Sequence, residues 1–209
     1  MSEMTDAKRR LVDRLKRVDS STATELAVEF GLTDTAVRQH LESLQSLGLV
    51  NRTDGEASGR GRPAARWRLT DAAAAMFPDR HVDLTVDLIE SIRTELGDEA
   101  LDRVIEARAQ RQADQYRHLV GDGTVGVRVR RLAEQRTAEG YVADVTDDGA
   151  DLVLVEHHCP ICVAAANCTT LCRSELEVFR TALGPGVRVE REQHLLSGDQ
   201  RCAYRITAA

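Results

Sequence analysis

In the stretch AKRRLVDRLKRVD, Leu11, Leu15 and Val18 recur at helical spacing while basic residues occupy the outer side, which predicts a helix over residues 7–18. Thr22 followed three residues later by Glu25 is a capping-box signature. It opens a second helix carrying Leu26 and Phe30 four apart, and Gly31 supplies the tight turn beyond it. Thr33 is the expected N-cap of a third helix, with Asp34 favourable in its first turn. Val37, Leu41 and Leu44 line one face of that helix, and Thr35, Arg38 and Gln39 project from the other. Alternation then replaces the helical period. Residues 49–53 and 65–70 read as two strands, with Trp67 and Leu69 alternating with Arg66 and Arg68 around the tip GEASGRGRP.

Two short helices joined by a glycine turn, then a basic hairpin, form the order of a winged helix-turn-helix. Its second helix enters the major groove of DNA with its N-terminal end first. Arg38 and Gln39 are the expected base-edge contacts, with Thr35 on phosphate or base. Arg60 and Arg62, on the flexible tip, suit phosphate or minor-groove contact.

Residues 80–118 contain no proline and only Gly97, so they read as two helices joined at 97–98. Leu84, Leu88, Ile92 and Leu96 make one stripe, continued by Leu101, Val104 and Ile105. Arg108, Arg111 and Arg117 mark a solvated face. A long half-exposed helix after a winged helix commonly supplies a dimer seam, because a two-fold protein matches a palindromic operator. A homodimer is therefore expected, in preference to helices that only cover their own C-terminal domain.

Beyond residue 120, two apolar stretches flank Asp147-Asp148-Gly149, and VRVEREQHLL and RCAYRIT flank Ser197-Gly198-Asp199, so two hairpins are expected. Between them SELEVFRTALG reads as a helix closed by Gly184. The predicted fold class is α+β. It comprises a winged helix-turn-helix over residues 1–78, connecting and dimerisation helices over 79–120, and a small cysteine-rich α+β domain with a mostly antiparallel sheet over 121–209.

Charge adds a contrast between the halves. Residues 1–78 hold 12 Lys/Arg and 11 Asp/Glu, a net of +1, whereas the remainder holds 16 and 23, a net of −7. Five arginines fall within residues 50–70, so positive charge is local to the expected DNA-binding module and the acidity belongs to the second half. No apolar run approaches the roughly 20 residues of a membrane helix. The start, MSEMTDAKRR, lacks the apolar stretch of a secretory signal, so a cytoplasmic protein without a membrane partner is expected. Thiols stay reduced in that compartment, which argues against disulfides.

Four of the five cysteines and two histidines lie in HHCPICVAAANCTTLC, residues 157–172, and the fifth is Cys202. Burial as small apolar residues accounts for Cys168 and Cys172 on a helix face but not for five thiols in one small domain. A catalytic Cys–His pair lacks any accompanying oxyanion or substrate-pocket signature, so the chain is not expected to be an enzyme. Metal binding remains, and sulfur-rich ligation suits zinc and iron–sulfur clusters alike. Cys159-x-x-Cys162 is a clean tight pair of the zinc type and Cys168-x-x-x-Cys172 passes as a second, leaving Cys202 surplus, so spacing alone favours neither metal.

A DeoR/ArsR-like winged helix with the wing SGRGRPAARWRLT, followed by HHCP, LCRSELEVFRTALGPGVRVER and GDQRCAYRI, resembles the SufR-type iron–sulfur-sensing repressors over most of the chain. In that family three cysteines, separated by twelve and then about thirty residues, ligate a [4Fe–4S] cluster. Cys159, Cys172 and Cys202 match that spacing, so the resemblance implies that they are the ligands. It also implies a repressor of iron–sulfur cluster biogenesis genes, its DNA affinity set by cluster state. Cys162 and Cys168 are additions to the family pattern, and they and His194 are the candidates for a fourth ligand. The alternative is a zinc-stabilised winged-helix regulator that senses a small molecule.

Overall fold

The computed structural model describes residues 4–53 and 64–208, and the chain divides into two compact units, Met1–Asp79 and Arg80–Ala209. In the first unit, α1 (Asp6–Arg17) is capped by Thr5, whose hydroxyl accepts from the Lys8 amide. The expected capping box forms at the start of α2 (Ala23–Phe30). Thr22 accepts from the Glu25 amide at 3.1 Å, and the Glu25 carboxylate accepts from the Thr22 amide at 2.8 Å. Gly31 closes α2 at φ +65, a left-handed conformation that a side chain would strain. Thr33 then caps α3 (Asp34–Ser46) through the Ala36 amide.

Val37, Leu41 and Leu44 of α3 are fully buried against Leu11, Leu15 and Leu26. Strands β2 (Val50–Thr53) and β3 (Arg66–Leu69) pair antiparallel, and Trp67 closes the core from β3. A short strand β1 (Ser21–Thr22) joins the other edge of β3, giving the order β1-β3-β2. Arg66 holds that edge: its Nε donates to Ser20 Oγ at 2.8 Å and its Nη2 to the Ser20 carbonyl at 2.9 Å. Two residues carry too little pattern to be predicted as a strand.

The second unit begins with α4 (His81–Leu96) and α5 (Asp98–Val120), which turn at Gly97 as expected. These helices share one compact unit with everything after residue 120. Ile89, and not the Leu84/Leu88/Leu96 edge, is the buried position of α4; Leu101 and Ile105 are its counterparts on α5. Of the expected stripe, Ile92, Leu101 and Ile105 make this contact, and Leu84, Leu88, Leu96 and Val104 stay exposed. The apolar arc of α4 is wider than its contact, and the contact takes the Ile89–Ile92 side.

Arg108, Arg111 and Arg117 face solvent, while Ala113, Tyr116 and Val120 on the same helix enter the main core. A helix not anticipated, α6 (Val125–Ala138), follows. Next come β4 (Ala143–Asp148), β5 (Asp151–Glu156), α7 (Cys162–Asn167), α8 (Thr170–Leu183), β6 (Val187–Gln193) and β7 (Cys202–Ala208). The four strands form a wholly antiparallel sheet in the order β4-β5-β7-β6, with β7 as an inner strand. α5, α6 and α8 supply helical residues to the core over this sheet, where Phe179 meets Tyr204 edge to face at 4.9 Å. Among the described residues, no helix is long and apolar enough to cross a membrane.

Candidate functional site

On α3, Thr35, Arg38 and Gln39 are all exposed, opposite the buried Val37–Leu41–Leu44 face. Arg38 is already engaged within the helix: its Nε donates to Asp34 Oδ2 at 2.5 Å and its Nη2 reaches Asp34 Oδ1 at 3.4 Å. Thr24 of α2 donates to Asp34 Oδ1 at 2.8 Å. The hydrogen bonds from Arg38 and then Thr24 hold the Asp34 carboxyl below its usual range, so it is charged at neutral pH. Arg60 and Arg62, the expected contacts of the wing tip, lie outside the described residues.

In the second unit, three elements bring thiols toward one region. The loop after β5 carries Cys159, the first turn of α8 carries Cys172, and Cys202 opens β7. The register Glu156↔Cys202 sets Cys202 level with the end of β5, three residues before Cys159. All five cysteines are free; Cys159 and Cys162 are half-buried, and Cys168, Cys172 and Cys202 are buried.

Burial pushes the Cys159 thiol up to about 12, against a hydrogen bond from the Ile161 amide, and Cys162 and Cys172 act on it in the same upward direction. Burial likewise raises Cys172 to about 11, with Glu175, Cys202 and Cys162 adding to the rise. Cys202 is raised by burial and opposed by the Leu195 amide. Cys159 and Cys172 are thus within electrostatic reach of Cys162, Cys159 of Cys172, and Cys172 of Cys202. Cys168 stands apart, packed with Ile89, Leu101, Ile105 and Ala164. Among the described residues, no three His, Cys, Asp or Glu side chains are grouped so as to hold a metal ion.

The surroundings of the thiols contain polar atoms without partners. Arg191 of β6 donates from Nη2 to the Cys172 carbonyl at 2.6 Å, yet its buried Nε has no partner. His194 is held by its amide on Asp199 at 2.7 Å and its Nδ1 on Ser197 Oγ at 3.2 Å, which leaves a buried Nε2 unpartnered. Burial and then Arg191 depress its pKa, so the ring is neutral. The pairing of Gln193 with Ala203 is the last of β6, and His194 follows it directly. Buried polar atoms are rarely left unsatisfied, so Arg191 Nε and His194 Nε2 stand out in this unit together with Arg128 Nε. Soft sulfur donors with amides directed at them suit a metal–thiolate group. In donor chemistry the residues fit such a group, although they are not drawn together around one ion.

Beneath the thiols runs a charge network that the sequence pattern did not reveal. Arg136 of α6, wholly buried, donates from Nε to Glu156 Oε1 at 2.5 Å, from Nη2 to Glu175, and from Nη1 to Tyr116 Oη at 3.2 Å. Tyr204 donates to Glu175 at 2.9 Å, and Arg191 Nη2 reaches Tyr204 Oη at 3.4 Å. The network therefore runs from α5 and α6 to the backbone of Cys172. A charged residue closing the apolar strand DLVLVE was the one local signal of it.

Residues 5–52 match the family model described as bacterial regulatory protein, arsR family. No curated protein matches the chain. Among solved structures, a mutant of Lactococcus lactis ZitR in apo form matches at 20% identity with a TM-score of 0.31, over 46% of this chain and 68% of that one. The adhesin competence repressor AdcR of Streptococcus pyogenes matches at 20% identity with a TM-score of 0.32, over 48% and 73%. The fold of the first unit agrees with that match: the segment from α1 to β2 is a helix-turn-helix similar to the DNA-binding domain of arsR-family regulatory proteins.

Proposed function

We propose that this protein is a homodimeric repressor whose grip on DNA is set by a [4Fe–4S] cluster held by Cys159, Cys172 and Cys202, and that it controls iron–sulfur cluster biogenesis genes. The observation that carries the metal reading is that thiols from three separate elements act on one another, with Arg191, whose buried Nε has no partner, donating to the Cys172 carbonyl. His194 and Cys162 are the better-placed candidates for the fourth iron, since Cys168 packs in an apolar cluster.

A single zinc ion needs its sulfurs in one tight tetrahedron, with Zn–S of about 2.3 Å. A [4Fe–4S] cluster takes each thiolate on a separate iron and spans more widely set donors. The Cys159–Cys162 turn, closed by the Cys162 amide on the Cys159 carbonyl at 3.2 Å, is the feature that supports the zinc alternative. When bound, a [4Fe–4S] cluster would supply an oxidant-sensitive anionic centre.

The chain's own residues carry the signal. The cysteine loop grips the α4–α5 hairpin: Arg93 Nη2 donates to the Asn167 carbonyl at 2.9 Å, and Thr170 donates to Asp102 at 2.9 Å. Ala164 and Cys168 pack on Ile89, Leu101 and Ile105. The same hairpin exposes Leu84, Leu88, Leu96 and Val104, each more than half accessible, which supports a seam with a second copy. Ordering of the loop would bias that seam, and with it the roughly 34–36 Å between half-site contacts.

Anaerobic purification tests the proposal. Brown protein with iron and acid-labile sulfide in equal amounts, losing at least about tenfold in promoter affinity on oxidation or chelation, is the expected result. Colourless protein with one zinc per chain selects the alternative, and equal affinity with and without the metal overturns control by the thiols.

The raised thiol pKa values give a second expectation. At pH 7.5 Cys159, Cys172 and Cys202 are protonated in the metal-free chain, so each releases a proton when it ligates. Zinc used as a probe is expected to release about three protons per ion, and its affinity to climb steeply with pH up to those raised values. Calorimetry in buffers of different ionisation enthalpy counts the protons. A count near zero would remove these thiols from the ligand set.

A further inference from the structure

Arg38 projects from the recognition helix with one edge already occupied. Asp34, one turn earlier, accepts from its Nε at 2.5 Å and faces its Nη2 at 3.4 Å. The carboxylate is itself anchored from α2, because Thr24 Oγ1 donates to its Oδ1 at 2.8 Å. An ordinary exposed i,i+4 pair has no such third partner and contributes little to stability. Here the anchor fixes a side chain that otherwise rotates about four bonds, and it leaves Nη1 and the outer hydrogen of Nη2 directed away from the carboxylate.

Guanine offers O6 and N7 as a pair of acceptors in the major groove, and an arginine guanidinium matches them with two donors. Holding Arg38 in advance lowers the ordering cost of that contact. The carboxylate has a second effect, since its charge repels phosphates that approach when the helix is not seated on the right bases.

We propose that Asp34, anchored by Thr24, is the positioning residue for Arg38 and thereby a determinant of base specificity at one G·C pair of the operator. This rests on the reading that α3 is the helix that enters the major groove.

Site selection from a random duplex library, followed by fluorescence anisotropy at fixed salt, tests it with the full-length protein, Asp34→Asn, Thr24→Val and Arg38→Ala. Asparagine is tolerated in the first turn of a helix, so Asp34→Asn is expected to keep the unfolding midpoint. It is expected to bind random duplex a few-fold more tightly and to lose about tenfold in preference for guanine at one position. Arg38→Ala is expected to lose preference at that same position, Thr24→Val to lose part of it, and the Asp34→Asn/Arg38→Ala pair to lose no more than Arg38→Ala alone. A simple structural role would weaken all positions and random duplex together. That result, or an Asp34→Asn preference equal to wild type while Arg38→Ala loses it, overturns the inference and leaves the groove assignment standing. An unchanged site in Arg38→Ala overturns both.

Discussion

Replacing Arg136 by methionine is expected to lower the unfolding midpoint of the second unit by on the order of 10–20 °C, corresponding to a loss of about 3–5 kcal/mol. Arg136 is wholly buried, and its guanidinium lies 3.3 Å from the ring centre of Tyr141 while serving Glu156, Glu175 and Tyr116. Methionine matches much of its volume but leaves two largely buried carboxylates, Glu156 and Glu175, without their common counter-charge. Burial already pushes the Glu156 carboxyl upward against the pull of Arg136. Without the arginine it takes up a proton more readily.

A carboxyl whose folded pKa lies above its unfolded value binds the proton more tightly when folded. Its contribution is therefore present at low pH and lost as pH rises through the folded pKa. The deficit of Arg136→Met should shrink toward pH 5, and adding Glu156→Leu should recover part of it, because the two sites are in direct contact. Thermal unfolding followed by circular dichroism measures both. A shift below about 1 kcal/mol, the effect of an ordinary surface change, would mean that the network is not an integrated buried unit.

A cysteine series should separate into groups. Single serine substitutions of Cys159, Cys172 and Cys202 are expected to remove the metal and, with it, the difference in DNA affinity between loaded and unloaded protein. Cys168→Ser is expected to retain metal but to lose about 1–3 kcal/mol of stability, since it sets a hydroxyl among Ile89, Leu101 and Ile105. Cys162→Ser and His194→Ala should keep partial occupancy with a more labile centre. Metal content by elemental analysis, anisotropy on promoter DNA and unfolding midpoints give three independent readouts. Equal loss of metal from Cys168→Ser and Cys172→Ser would contradict the partition drawn from the packing of the two residues.

Arg191 belongs with the thiols through its contact to the Cys172 carbonyl, and no sequence signal marked it. It alternates within VRVEREQ like any strand residue, and only the pairing of β6 with β7 sets it beside Tyr204 and the start of α8. His194 was legible as a donor type near Cys202 in the chain. That its ring is fixed by Asp199 and Ser197, with Nε2 turned into buried space, was not. Similar limits apply to α4, where the spacing marked an apolar stripe and packing took Ile92 from it, added Ile89 and left Leu84, Leu88 and Leu96 exposed.

What the sequence by itself determined lies within a few residues of its own cause. The Thr22–Glu25 box, the left-handed Gly31, the Thr33 cap and the 3.6-residue spacing of Val37, Leu41 and Leu44 specify the helix-turn-helix, because backbone caps and amphipathic faces are local interactions. The same holds for Gly97, Gly184 and the turn at Gly149, which mark where elements end. Tertiary structure alone decided which buried charges pair across α5, α6, α8 and the sheet, and which thiols share a neighbourhood. It also decided that β7 lies between β5 and β6. Each of these depends on desolvation and on contacts between residues tens of positions apart, and neither is encoded in any short window of the chain.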